Sequence, residues 1–141
     1  KACKDFLGKY FVYIAYVVLM TISSDSTKRI CTNLLKDILK VHESDNSLKF
    51  FRKDLTRMTM WLFIISAYFD KKKINIEDLA RAIAPTSKIS KPSLRLILEN
   101  AKHKGFIKFT NSKTDQRSWY IEPDEKTIKE FTNWVQTFRD V

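Results

Sequence analysis

Ile76-Glu77-Asp78-Leu79-Ala80-Arg81-Ala82-Ile83 is followed, after Ala84 to Ile89, by Ser90-Lys91-Pro92-Ser93-Leu94-Arg95-Leu96-Ile97-Leu98-Glu99-Asn100-Ala101-Lys102-His103-Lys104-Gly105-Phe106-Ile107. The reading of these two segments decides the fold. In the first, Ile76, Leu79, Ala80 and Ile83 recur at helical spacing. Asn75 stands where an N-cap is wanted, and Pro85 ends the helix. In the second, Ser90 can cap a helix that runs to about Lys104. Leu94, Ile97, Leu98 and Ala101 line one face of it, and Gly105 supplies the left-handed turn that stops it. Two short apolar runs come next, Phe106 to Thr110 and Ser118 to Ile121, which read as strands. The polar loop between them, Asn111 to Arg117, carries Lys113 and Arg117.

Short helix, turn, second helix and a hairpin with a basic tip is the layout of a winged helix-turn-helix. A helix of this kind fits the major groove of B-DNA, where the base edges present distinct donor and acceptor patterns. A basic hairpin can follow the phosphates or enter the narrower minor groove. The expected fold is mainly α, with a small two- to three-stranded β-hairpin and long flanking helices. The expected organisation is residues 1–70 as N-terminal scaffold and dimerisation helices, 71–122 as the winged helix-turn-helix, and 123–141 as a C-terminal dimerisation helix.

Charge points the same way. The chain has 141 residues and a formal net charge of +10. Residues 71–117 hold 12 Lys and Arg against 4 Asp and Glu, whereas residues 118–141 hold 3 against 5. Concentrating the excess in one third of the chain is the footprint of a surface for a polyanion. Solvated basic faces would give the same count, so charge alone does not decide.

The segment from Ser90 to Ile107 resembles the recognition helix and following strand of MarR-type regulators, which tend to open on a Ser-Arg-Pro-Thr-like turn and close on a Lys-Gly-Leu-Ile-like one. Lys113-Thr114-Asp115-Gln116-Arg117 is similar to that family's wing, which carries Asp-x-Arg. The resemblance covers about 50 residues, and beyond them only the layout agrees. It implies that Arg117 reads the minor groove and that Asp115 braces it. It also implies a homodimer that regulates transcription and leaves room for a small-molecule effector. Departures are Leu96 where arginine or another polar residue is common, Gln116 in place of a second wing arginine, and an unusually apolar N-terminal helix.

The candidate DNA-binding residues are Lys88, Ser90, Lys91, Ser93, Arg95, Asn100, Lys102, Lys113 and Arg117, with Asp115 in support. Ser90, Lys91 and Ser93 lie in the first turn of the second helix, where side chains and backbone N–H groups can meet phosphate. Arg95 suits guanine and Asn100 suits adenine. Lys88, Lys102 and Lys113 suit phosphates. An ordinary exposed helix residue is the alternative for each. Trp119 and Tyr120 alternate on a strand, so one of them is expected in the core.

The rest of the chain reads as helices. Asp5 to Ile22 is apolar on nearly every side, which asks for cover by a partner. Its run from Tyr10 to Ile22 is short of the ~20 residues of a membrane span. Thr27 to Val41 has Ile30, Leu34, Leu35, Ile38 and Val41 on one face. Leu48, Phe51, Leu55, Met58, Leu62, Ile65 and Phe69 form one stripe and read as a single long helix. From Pro123 a last helix presents Ile128, Phe131, Val135 and Phe138, with Trp134 beside them. Phe50, Phe51, Trp61, Phe63 and Tyr68 read as core before ligand pocket.

Chemistry finds little to work with. Glycines are only two and prolines three, with no glycine-rich phosphate loop and no Ser/His/Asp or Cys/His set. Cys3, Cys31, His42 and His103 fit no metal-ligand spacing. No cofactor, metal or catalytic residue is expected, and a reducing cytoplasm is the default compartment. Cys31, beside Lys28 and Arg29, is the cysteine with a redox reading; the ordinary one is a small buried hydrophobe. Two rivals stay open: a winged helix that docks protein rather than DNA, and a membrane-associated regulator anchored by Tyr10 to Ile22.

Overall fold

The computed structural model describes residues 24–40, 46–111, 113 and 118–139. In chain order the elements are α1 (Ser24–Lys40), α2 (Ser47–Phe51), α3 (Leu55–Phe69), α4 (Ile76–Ile83), α5 (Lys91–His103), β1 (Ile107–Asn111), β2 (Trp119–Pro123) and α6 (Glu125–Arg139). The expected apolar helix Asp5 to Ile22 lies outside the described residues.

The helix-turn-helix forms where its local signals place it. Asn75 Oδ1 accepts from the Asp78 backbone N–H at 2.9 Å, and the Asp78 carboxylate accepts from the Asn75 N–H at 3.0 Å. This reciprocal box satisfies two N–H groups that the first turn of α4 leaves without helical partners. Ser90 caps α5, and Lys104 closes it. Gly105 then sits at φ +78. Nothing lies within 4 Å of a Cβ placed there, so the glycine is required by its backbone and not by space. Gly105→Ala should therefore lower stability by about 1–2 kcal/mol, read by chemical denaturation, with the fold intact.

The hairpin is antiparallel, with Ile107 opposite Pro123, Phe109 opposite Ile121 and Asn111 opposite Trp119. The sheet has two strands, and the Ile121 N–H donates to the Ile74 carbonyl at 2.8 Å, tying the hairpin to the turn before α4. Pro123 ends β2 and is buried rather than opening the last helix. The α6 start falls to Asp124, whose carboxylate accepts from the Lys126 N–H at 3.0 Å.

One core serves α2 to α6 and the hairpin. Trp61, Ile64, Leu79, Leu94 and Leu98 are each exposed by 1% or less. Phe51 stacks on Trp61 at 5.8 Å and 2°, and Phe131 meets Trp61 edge-on at 5.0 Å and 89°. The Thr127 hydroxyl, buried in α6, donates to the Phe106 carbonyl at 2.7 Å and fixes α6 against the end of the helix-turn-helix.

Three expectations change. The stripe from Leu48 to Phe69 is not one helix, because Asp54 interrupts it. Its carboxylate accepts from the Arg57 N–H at 2.8 Å and restarts the helix as α3. The buried side of α3 is Met60, Trp61, Ile64, Ile65 and Ala67, while Leu55 and Phe69 are 67% and 59% exposed. A helix apolar on two sides carries no periodic mark of which side is covered. Second, α1 buries none of its residues, and Leu35 and Leu39 stand in the open. Val41, the last member of its expected face, lies outside the described residues. Third, neither Trp119 nor Tyr120 is core. Ile121 takes the buried place, because the strand meets the core two residues further along.

Among the described residues no helix is long and apolar enough to cross a membrane. The Tyr10 to Ile22 run is not among them. Cys31 is free and exposed on α1, not the small buried hydrophobe that cysteine usually is.

Candidate nucleic-acid interface

The exposed side of α5 and the inner root of the hairpin face one another. Arg95 and Lys102 lie on the flank of α5 toward the hairpin, since residues seven apart share a face. Phe109, Ile121 and Trp119 share the inner face of the sheet. These groups enclose a cavity of about 640 Å³. Lys102 Nζ stands 5.0 Å from the centroid of the Phe109 ring, a cation–π contact that holds the ammonium beside the hairpin. Trp119 lies past the edge of the core on this face and is 52% exposed.

The first turn of α5 is already partly engaged. The Ser90 hydroxyl oxygen accepts from the Ser93 N–H at 3.3 Å, and the two hydroxyls are 2.9 Å apart. Lys91 pairs with Glu77 of α4 at 2.6 Å, both side chains being more than half exposed. Such a pair contributes up to ~1 kcal/mol and leaves the ammonium near the helix start without locking it. Lys88 is exposed in the turn between the helices.

Asn100 sits elsewhere. It lines a second, larger cleft of about 1100 Å³, together with His103, Lys104, Arg52, Ile38 and Trp134. That cleft lies where α1, α2 and α6 meet the end of α5. Arg95 and Asn100 therefore occupy different flanks of the same helix. Lys113 is exposed beyond β1. Arg117, Asp115 and Gln116 lie outside the described residues. The structure thus brings Arg95, Lys102 and the hairpin root together, and puts Asn100 on the far flank. Trp119 and Phe109 are the members of the site that strand alternation alone assigned to the core or passed over.

A knot of polar groups closes the larger cleft. One oxygen of Asp37 on α1 accepts from the Arg52 guanidinium at 2.5 Å and from the Trp134 indole N–H at 2.7 Å. The same guanidinium lies 5.0 Å over the Trp134 ring. The Ser47 N–H and hydroxyl both donate to Glu130 Oε2, at 2.9 and 2.5 Å. Two carboxylates thus tie α1, α2 and α6 together.

Among the described residues no group of His, Cys, Asp or Glu is arranged to hold a metal. No protein-family model matches the chain, and no curated protein matches it in sequence. Solved structures do match. MepR of S. aureus in complex with DNA superposes with a TM-score of 0.58 at 15% identity, over 83% of this chain and 85% of that one. The heme sensor PefR of Streptococcus agalactiae, in complex with heme, superposes with a TM-score of 0.51 at 19% identity, over 85% and 76%. A MepR mutant from a multidrug-resistant S. aureus clinical isolate superposes with a TM-score of 0.54 at 17% identity, over 86% and 79%.

Proposed function

We propose, from the premise that the fold is that of the MarR-type winged-helix regulators, that this chain binds duplex DNA sequence-specifically as a homodimer. It then regulates transcription in the cytoplasm, without catalysis. In this reading α5 enters the major groove, and the loop carrying Lys113 and Arg117 reaches the minor groove, braced by Asp115. The observation that carries it is the facing of Arg95 and Lys102, from the most basic third of the chain, with the hairpin root. Lys88, Lys91, Ser90 and Ser93 would meet phosphates at the start of α5, while Asn100, a base-reading candidate by residue type, borders the larger cleft instead. MepR, crystallised on DNA, supports the reading by likeness of fold.

The bare apolar residues Leu35 and Leu39 of α1 and Val135 of α6 are the proposed dimer contacts. In this arrangement residues 1–70 and 123–141 flank the DNA-binding region 71–122. Two copies would place their α5 helices one helical turn of DNA apart, about 34–36 Å. Sedimentation of the purified chain tests this part, and a monomer across the working concentrations ends it.

The test of DNA binding is a titration of random duplexes at two salt concentrations. Affinity should fall by orders of magnitude between about 50 and 200 mM salt, as expected when several phosphates are neutralised. Arg95→Ala and Arg117→Ala should each weaken binding to a selected duplex by about 1–3 kcal/mol without changing unfolding. Duplex affinity that ignores both salt and these substitutions would favour a winged helix that docks protein.

The larger cleft is the proposed place for an effector. Its walls are apolar (Ile30, Leu34, Phe50, Phe138) and its rim is cationic (Lys49, Lys53), which suits an amphipathic organic anion. PefR is a heme sensor, so heme is one such probe. A ligand there would touch both α1 and the last turn of α5.

A further inference from the structure

The outermost line of α5 is not basic. Leu94, Leu98 and Ala101 are buried, so the opposite line of the helix carries Pro92, Leu96, Glu99 and His103, all exposed. Leu96 is 62% exposed at its centre. Among the described residues Glu99 and Arg95 form no ion pair, although they stand four apart on neighbouring lines of one helix. Arg95 and Lys102 stand on the hairpin flank, where Glu99 borders the same cavity, and Ser93 stands on the other flank, whose far end at Asn100 lines the cleft toward α1 and α6.

Leu96 and Glu99, in the middle of this line, cannot serve phosphate. A leucine offers phosphate nothing, and a glutamate repels it. Once the first turn of α5 and the Lys102 flank engage the phosphate backbones, Leu96 and Glu99 face the floor of the groove. There the base edges offer two partners that match. Thymine presents an apolar 5-methyl group, and cytosine presents a 4-amino donor that a carboxylate accepts.

Resting on the DNA-binding reading above, we infer that Leu96 and Glu99 are specificity-determining residues that read pyrimidines, Leu96 through the thymine 5-methyl group and Glu99 through the cytosine 4-amino group. The helix then selects its site by apolar contact and by an acceptor, with Arg95 adding a guanine contact at the edge.

The experiment uses the full chain and the duplex it retains best from a random pool. Each thymine of that duplex is replaced in turn by uracil, which pairs identically and lacks the methyl group. At one thymine per half-site the affinity should fall about four-fold, the worth of one buried methyl-sized group. Leu96→Ala should bind the thymine duplex about four-fold more weakly and be indifferent to uracil at that position. Its thermal unfolding should be unchanged, since the side chain stands mostly in solvent. Glu99→Gln should relax the preference for cytosine at one position in a repeated selection. A flat uracil series with the wild-type chain, while Arg95→Ala still loses affinity, overturns the inference and leaves DNA binding standing. Failure to retain any duplex overturns both.

Discussion

Replacing Trp61 by alanine should lower the free energy of unfolding by about 3–5 kcal/mol, a large fraction of the ~5–15 kcal/mol that holds a domain folded. Trp61 is 1% exposed and is surrounded by aromatic rings: Phe51 stacked, Phe131 edge-on and Trp134 tilted at 5.6 Å. These rings come from α2 and α6, so the indole joins both of those helices to α3. Removal leaves a void that backbone tied by capping bonds cannot collapse to fill. Its indole N–H is buried without a hydrogen-bond partner among the described residues. Trp61→Phe should therefore cost far less, about 1 kcal/mol, because it deletes an unpaired polar group along with some packing. Guanidinium unfolding of the two variants reads the difference directly. Equal losses would mean that the ring stack contributes little.

Asp37→Ala should cost about 2–4 kcal/mol. Its carboxylate serves two donors, the Arg52 guanidinium and the Trp134 indole. The Arg52 side chain is only 8% exposed, so removing the carboxylate strands a nearly buried cation; Asp37 itself is 29% exposed, which moderates the loss. Asp37→Asn keeps an acceptor for the indole and should lose less. The double change Asp37→Leu with Arg52→Met removes both charges and should regain much of the loss, as apolar replacements of buried pairs do. Because Asp37 is a polar tie from α1 to α2 and α6, Asp37→Ala should also loosen α1. Hydrogen exchange of α1 amides should then rise more than that of α5 amides. Uniform faster exchange across the chain would show that the knot supports global stability alone.

The parts of the fold legible beforehand are those that local chemistry specifies. Asn75, Ser90 and Gly105 each act within four residues of their own backbone. The helix-turn-helix they punctuate formed with its ends in place, and Leu94, Leu98 and Ala101 turned inward as their spacing requires. The first strand begins a single residue later than its apolar run. The break at Arg52 to Asp54 was also written locally, in an aspartate able to cap, but an unbroken apolar stripe masked it.

The candidate site was legible in part for the same reason. Helical spacing put Arg95 and Lys102 on the outside of α5. It could not say that the hairpin would come to rest against that flank, or that Asn100 would face α1 and α6. Trp119 followed the strand alternation and still escaped the core, because the core ends before the strand does.

Residue order alone was enough for the caps, the stops and the inward faces of the helix-turn-helix, since those depend on hydrogen bonds and periodicities that span a few residues. Packing had to choose the covered side of α3, the exposure of α1 and the union of Asp37, Arg52 and Trp134. A helix with apolar side chains on two faces has two nearly equal ways to bury itself. A carboxylate finds a partner 97 residues away only once the intervening chain has folded.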